Sequence, residues 1–331
     1  MGALAPSYRH RLRHGAPSPV AGDRLAQCPS SPSSKPSLSP ASALVALHAA
    51  VALFAFAALF GKWIALPATA IVLGRTAFAA LALAATLRMR GRPAGRPTPS
   101  LVGNGAILAL HWVSFFAAVQ SASVAVALLG YASFPLFVLL LEPREAPGAG
   151  VIAPGVIVPG AAASRAIGRY ATAALVIAGL LLIVPAFSWS DRASRGLLWG
   201  LVSGFSFAWL TVRNRALVAD DVPARIALWQ NTVAAACLLP VAALDGARAL
   251  PSAGDLALLA VLGIACTALA HTLFIASMRR VSAHVASVVA ALEPVYGIAL
   301  AAWLLGEVPD LRTQAGAALI VAAALVASRR A

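Results

Sequence analysis

Between residues 43 and 328 nearly the whole chain is made of apolar blocks, each about as long as a helix needs to cross a bilayer. At about 1.5 Å of rise per residue, roughly 20 residues span about 30 Å of hydrocarbon. The blocks lie approximately at 43–61, 68–87, 100–120, 123–141, 170–187, 196–215, 223–243, 255–277, 282–305 and 312–328. Alternating segments of the kind that build membrane barrels are not seen, so the sequence predicts an all-α integral membrane protein with ten transmembrane helices. The composition agrees. The chain is 60% hydrophobic and 11% charged, with mean hydropathy +0.85, where a soluble domain carries about 25% charged residues.

A net charge of +14 would suggest a nucleic-acid partner in a soluble protein. Here the basic residues sit mainly in loops and tails, where they set orientation, and no nucleic acid is expected. With the N-terminus placed in the cytoplasm, that side receives Arg9, Arg11, Arg13, Arg24, Lys35, Arg88, Arg90, Arg92, Arg96, Arg144, Arg165, Arg169, Arg213, Arg215, Arg225, Arg279, Arg280, Arg329 and Arg330. The opposite side receives Lys62, Arg192, Arg195, Arg248 and Arg312, and Arg75 falls within a span. Nineteen against five predicts ten spans with both termini cytoplasmic. Residues 1–41, rich in Pro, Ser and Arg, read as a disordered basic tail. Cys28, Cys237 and Cys266 are scattered, so neither a disulfide nor a metal site is expected.

The chain repeats itself. Pro67 to Arg75 and Pro223 to Asn231 are each eight residues apart, and each pair opens a span. Gln120-Ser121-Ala122-Ser123-Val124 onward to Pro135 aligns without gaps with Arg279-Arg280-Val281-Ser282-Ala283 onward to Pro294. The match continues from Ala173-Ala174-Leu175-Val176 to Ala317-Ala318-Leu319-Ile320 if the first half carries a Pro/Gly-rich insertion at about 146–163. The halves are therefore predicted as 42–187 and 196–328. Each holds five spans, an odd number, so the second must be inverted. Such 5+5 inverted repeats are a hallmark of secondary transporters, with the binding site near the midplane where the repeats meet.

Polar residues deep in spans are the site candidates. Glu293 falls about 18 Å from the cytoplasmic end of its span and Arg75 about 10 Å from the outer end of its own, counting about 1.5 Å per residue. A charge near the bilayer centre costs at least about 2.5–3.5 kcal/mol and is functional by default. The two depths allow an Arg75–Glu293 pair across the repeat interface. Pro135 and Pro294 are read as kinks that free a backbone carbonyl. His111, Trp112 and Tyr131 lie near mid-span, and Trp229, Gln230 and Asn231 occupy the repeat position of Arg75. His271 comes near the repeat position of His111, and Tyr296 follows Glu293 by three residues. Glu293 is the proton-coupling candidate. Glu307 lies at a loop and reads as a capping or topology residue.

Leu292-Glu293-Pro294-Val295, Leu304-Leu305-Gly306-Glu307 and Gly316-Ala317-Ala318-Leu319-Ile320 resemble the C-terminal signature of the EamA-type drug/metabolite transporter superfamily. Phe60-Gly61-Lys62-Trp63, Arg75, His111-Trp112-Val113-Ser114-Phe115-Phe116 and Ser133-Phe134-Pro135 with Glu142 carry the resemblance into the first half. It covers residues from about 43 to 328, departing from the family only at the insertion. It implies a carrier of the bacterial-type inner membrane that moves small metabolites, amino acids or drug-like compounds by alternating access. Its partners would be a small-molecule substrate and membrane lipids, and both monomer and homo-oligomer are compatible with it. An enzyme is not expected: no paired aspartates, H-E-x-x-H or Ser/His dyad falls within the spans, and no nucleotide-binding loop is present. A flippase of the same fold is the alternative carrier. No cofactor is expected.

Overall fold

Several helices begin where the sequence supplies a side-chain oxygen to cap them. In the computed structural model, which describes residues 39–141, 171, 174–183, 187–245 and 250–328, Ser39 opens α1 (Pro40–Trp63) by accepting the Ser42 amide at 3.1 Å. Pro40 occupies the first turn, where its missing N–H is no loss. α2 (Ala68–Met89) starts after Pro67, and α3 (Pro99–Ser121) repeats the device with Thr98 and Pro99. α4 (Val124–Tyr131), α5 (Phe134–Leu141) and α6 (Ala174–Ile183) complete the first half. The second half holds α7 (Arg192–Asp220), α8 (Pro223–Asp245), α9 (Ala253–Gly263), α10 (Ala270–Ser277), α11 (Ala283–Ala290), α12 (Glu293–Leu305) and α13 (Leu311–Ser328). A π-helical turn, Ile264–Leu269, joins α9 to α10 without a break. Among the described residues there is no strand. The expected tail, apart from residues 39–41, and the expected insertion lie outside the described residues.

Among the described residues each of the ten predicted spans overlaps a helix. Among the described residues seven helical stretches are long and apolar enough to cross a membrane: α1, α2, α3, α4–α5, α8, α9–α10 and α11–α12. α6 and the apolar part of α13, Leu311–Ala323, are shorter. The 29 residues of α7 run for roughly 43 Å at about 1.5 Å each, but the helix carries Arg192, Arg195, Arg213 and Arg215 towards its ends.

The two prolines do something other than kink a continuous helix. α4 ends at Tyr131, two residues turn, and α5 starts at Phe134; α11 ends at Ala290, two residues turn, and α12 starts at Glu293. The two broken helices stand 159 residues apart, from 124 to 283 and from 134 to 293, and Ser123 and Ser282 cap their first segments in the same way. Pro135 and Pro294 are second residues of new helices. The missing donor there belongs to a turn that has no intrahelical acceptor in any case.

Helices of one half take their main partners from the other. α1 packs on α10 and α12, α7 packs on α3, α4 and α5, and α2 packs on α8. α4 and α7 cross at close range. A side chain at Gly200 would place its Cβ 3.0 Å from the Ala127 carbonyl and from Cα of Gly130, and one at Gly196 would stand 2.5 Å from the Ala122 methyl. The Gly196-x-x-x-Gly200-x-x-x-Gly204 spacing thus lets two backbones meet, which in lipid replaces the hydrophobic force that drives packing in water.

Gly200→Leu should therefore lower stability by about 1–3 kcal/mol or block folding, because the obstructing atoms are backbone. Gly103→Ala, on the same scaffold but with open space around it, should leave thermal unfolding in detergent unchanged. Equal unfolding curves for Gly200→Leu and wild type would refute the close crossing.

Candidate functional site

The deepest polar side chains meet in one cavity between the halves. α1 supplies Phe54 and Ala57, α2 Arg75, α3 His111, Trp112 and Phe115, and α4 Tyr131; α7 supplies Phe207, α10 His271 and α12 Glu293. The remaining space is about 20 Å³, room for a water molecule or two.

Arg75 is 1% exposed, and a guanidinium is kept in such a place only if its donors are met. Its Nε donates to Thr267 Oγ1 at 2.9 Å and its Nη2 to the Cys266 carbonyl at 3.4 Å. The guanidinium carbon lies 4.1 Å from the Trp112 ring centre and 5.3 Å from that of Phe116. A desolvated cation over an aromatic face gains about 2 kcal/mol. Both polar partners come from the π-turn. There the Ala270 amide bonds the Ala265 carbonyl, five residues back, and the Cys266 carbonyl is left for Arg75.

Glu293, 3% exposed, is the first residue of α12. The Tyr131 hydroxyl, at the end of α4, stands within hydrogen-bonding reach of its carboxyl, while Oε2 has no protein partner. Arg75 and Glu293 share the cavity but form no ion pair; among the described residues the ion pairs are Lys62–Glu307 and Asp221–Arg225. The expected direct pair is thus corrected: the donors of Arg75 are directed to the π-turn and its face to Trp112.

His111 is fixed. Its Nδ1 lies 3.0 Å from the Ser203 carbonyl and 2.9 Å from Ser203 Oγ, and its ring stacks on Phe207 at 4.7 Å. A proton on Nδ1 serves the carbonyl and leaves Nε2 as an acceptor. His271 packs edge-on against Trp112 at 5.8 Å, and neither of its ring nitrogens has a protein partner. A neutral imidazole with one donor and one acceptor to spare, beside an open carboxyl oxygen, is suited to a polar guest.

Six of the ten predicted site residues, Glu293, Arg75, His111, Trp112, Tyr131 and His271, come together here. The other four do not. The Trp229 Nε1 donates to the Ala94 carbonyl at 3.0 Å and holds the loop between α2 and α3. Gln230 donates to Asn214 Oδ1 at 2.6 Å, in a buried network that also takes in Asn104 and Arg213. Asn231 turns back on the Ala227 carbonyl of its own helix at 2.8 Å. Tyr296 is 39% exposed on the outer surface. Around the repeat position of Arg75, Gln230 thus joins α8 to α7 and α3 while Asn231 bonds its own helix, and neither lines the cavity. Sequence reasoning passed over Thr267, Ser203 and Phe207. A threonine in an apolar span gives no sign that a π-turn will aim it at an arginine.

Residues 194–329 match the EamA-like transporter family. Over 243 residues, 72% of this chain and 79% of the other, the sequence is 28% identical to a protein of Archaeoglobus fulgidus (strain ATCC 49558 / DSM 4304 / JCM 9628 / NBRC 100126 / VC-16) named as an uncharacterized transporter. These matches mark the chain as a membrane transporter whose residues 194–329 are similar to the EamA-like family. A crystal structure 21% identical in sequence superposes with a TM-score of 0.62, covering 88% of the transporter and 98% of that chain, a likeness of fold.

Glu307, two residues beyond α12, acts at the rim. Its Oε1 pairs with Lys62 Nζ at 3.3 Å, and its Oε2 accepts the Val124 amide at 2.9 Å. It thereby satisfies one of the four free donors at the start of α4 while Ser123 satisfies another. Lys62 also donates to the Ala122 carbonyl at 3.0 Å. α12 is thus tied to α4 at both ends, through Glu293 towards Tyr131 and through Glu307 to Val124. Glu307→Ala removes a half-exposed ion pair and a helix-end acceptor together and should cost about 1–2 kcal/mol, against less than about 1 kcal/mol for Lys62→Ala. Thermal unfolding of both variants checks the order, and a larger loss for Lys62→Ala would contradict it.

Proposed function

We propose that the protein is a secondary-active transporter that exports small metabolites, amino acids or drug-like compounds by alternating access, with Glu293 carrying the coupling proton. The observation that carries the reading is the cavity. Seven helices from both halves converge on a buried carboxyl with one oxygen open, next to an imidazole with both nitrogens open. A solute has no room in about 20 Å³, so entry requires the halves to move against each other.

The architecture we infer is a ten-span 5+5 inverted repeat with both termini on the cytoplasmic side of a bacterial-type inner membrane. Two features support it. Exchanging α1 with α7, α2 with α8, α3 with the continuous α9–π-turn–α10 helix and α4–α5 with α11–α12 returns the main packing pattern to itself. Gln120 and Arg279, matched in the repeat, make the same kind of bond: Nε2 of Gln120 donates to the Leu66 carbonyl at 2.8 Å, and Nη2 of Arg279 to the Asp221 carbonyl at 2.9 Å. Each ties the end of a third helix to the loop before a second one. Two units with equivalent contacts at opposite ends can rock between two equivalent states, which is how inverted repeats give access to either side.

The test starts from a metabolite screen of cells overexpressing the protein, scored by resistance or export, which supplies a cargo. In proteoliposomes, Glu293→Gln should abolish transport of that cargo driven by a pH gradient, with exchange of cargo for cargo retained. Undiminished gradient-driven transport would exclude Glu293 as the proton site.

A further inference from the structure

We propose that Thr267 is a positioning residue of the transport cycle: from the π-turn it holds the Arg75 guanidinium on Trp112 and away from Glu293, keeping one oxygen of that carboxyl open to proton or cargo. The inference deepens the transporter reading and rests on it for the role of Glu293. Opposite charges in one small, water-poor cavity attract strongly, since screening falls with the local dielectric. Left to that attraction, Arg75 would close on Glu293 and occupy the acceptor that a coupling carboxylate must offer. The structure shows what opposes it. Thr267 donates its own hydroxyl proton to the Leu262 carbonyl at 2.7 Å, which turns a lone pair towards Arg75 Nε at 2.9 Å. The Cys266 carbonyl adds a second acceptor, and Trp112 supports the guanidinium face at 4.1 Å.

The other side of the competition is just as visible. The Glu293 Oε2 remains without a protein partner although Arg75 lines the same cavity. The titratable and charged groups that line the cavity with Glu293 are Arg75 from α2, His111 from α3, Tyr131 from α4 and His271 from α10, and Cys266 of the π-turn stands against Arg75. α1 and α7 contribute to the cavity only apolar groups, Phe54, Ala57 and Phe207. Arg75 is the one cation of fixed charge among them, so where its guanidinium rests decides whether the carboxyl is engaged.

The test needs neither cargo nor gradient. A hydrophobic carbodiimide reacts with a carboxyl in its protonated form, and the adduct on Glu293 of the purified full-length protein is quantified by peptide mass spectrometry at one fixed pH. Thr267→Val keeps the shape but removes the hydroxyl, and should cut labelling about tenfold or more as Arg75 turns to Glu293 and holds it ionised. Thr267→Ser should restore it, and so should Arg75→Gln added to Thr267→Val. Arg75→Gln alone should label at or above wild type. If Thr267→Val does not yield folded protein, Thr267→Ala is judged by the same measure. Wild-type labelling in the hydroxyl-free variant, or labelling that stays low in the double variant, overturns the proposal. Because Glu293→Gln transport is a separate measurement, failure of the proton role and failure of the positioning role are told apart.

Discussion

A guanidinium buried among apolar helices has to find its partners inside the protein, and in this transporter the place found for Arg75 shapes the helices around it. Thr267 and the Cys266 carbonyl reach it because the helix opposite widens into a π-turn, and Trp112 lies beneath it as a flat, polarisable support. Each partner is set by a local departure or a close packing. Gly263, just before the π-turn, has no room for a side chain, since a Cβ there would stand 2.7 Å from the Arg75 carbonyl. The helix bearing the arginine and the helix bearing its acceptors are thus pressed backbone to backbone. The cavity is what remains on the far side of that contact.

The carboxyl opposite is handled differently. Glu293 stands at the start of a helix, where unsatisfied amides give a positive end that favours a negative charge, and a two-residue break in the helix brings that start into the interior. The break is tolerable at membrane depth because it is buried between helices and borders a cavity, the one setting where irregular backbone survives there. α4 and α12 run past each other with a carboxylate at either end, Glu293 within reach of a side chain that faces the cavity and Glu307, just beyond α12, on a backbone amide at the rim. A change at the cavity end therefore has a short, stiff route to the rim.

Much of this was legible in the sequence, and the reasons differ by feature. Spans follow from apolar length, and among the described residues each predicted stretch overlaps a helix, although α7 owes its length to polar ends. Arg75, Glu293, His111 and His271 could be found because a polar side chain deep in a span is conspicuous. Their geometry could not. Whether Arg75 turns to Glu293 or to Thr267 depends on one extra residue in a helical turn, and Ile264–Leu269 has no composition that announces it. Trp229, Gln230 and Asn231 matched Arg75 in repeat position and still do not line the cavity, because this stretch of α8 meets the α2–α3 loop and α7 and turns one amide back on its own helix. A repeat equates backbones; it does not equate what surrounds each side chain.

That distinction bears on how such a fold could do directional work. At the start of the second segment of each broken helix the two halves carry Phe134 and Glu293. Phe134 is fully buried and stacks on Tyr131 at 5.8 Å, and Tyr131 in turn is the neighbour of the Glu293 carboxyl. One broken helix thus ends in a wall of aromatic rings and the other begins with an ionisable group, and the two meet at a single tyrosine. If both positions carried carboxylates, their mutual repulsion in a dry site would force one to stay protonated; if both carried phenylalanine, no group in this place could exchange a proton. On the alternating-access reading proposed above, a single carboxylate would leave the backbones interchangeable for rocking between two states while one proton-exchanging group serves both. The scaffold needs the symmetry and the chemistry needs its absence, and this pair of positions supplies both.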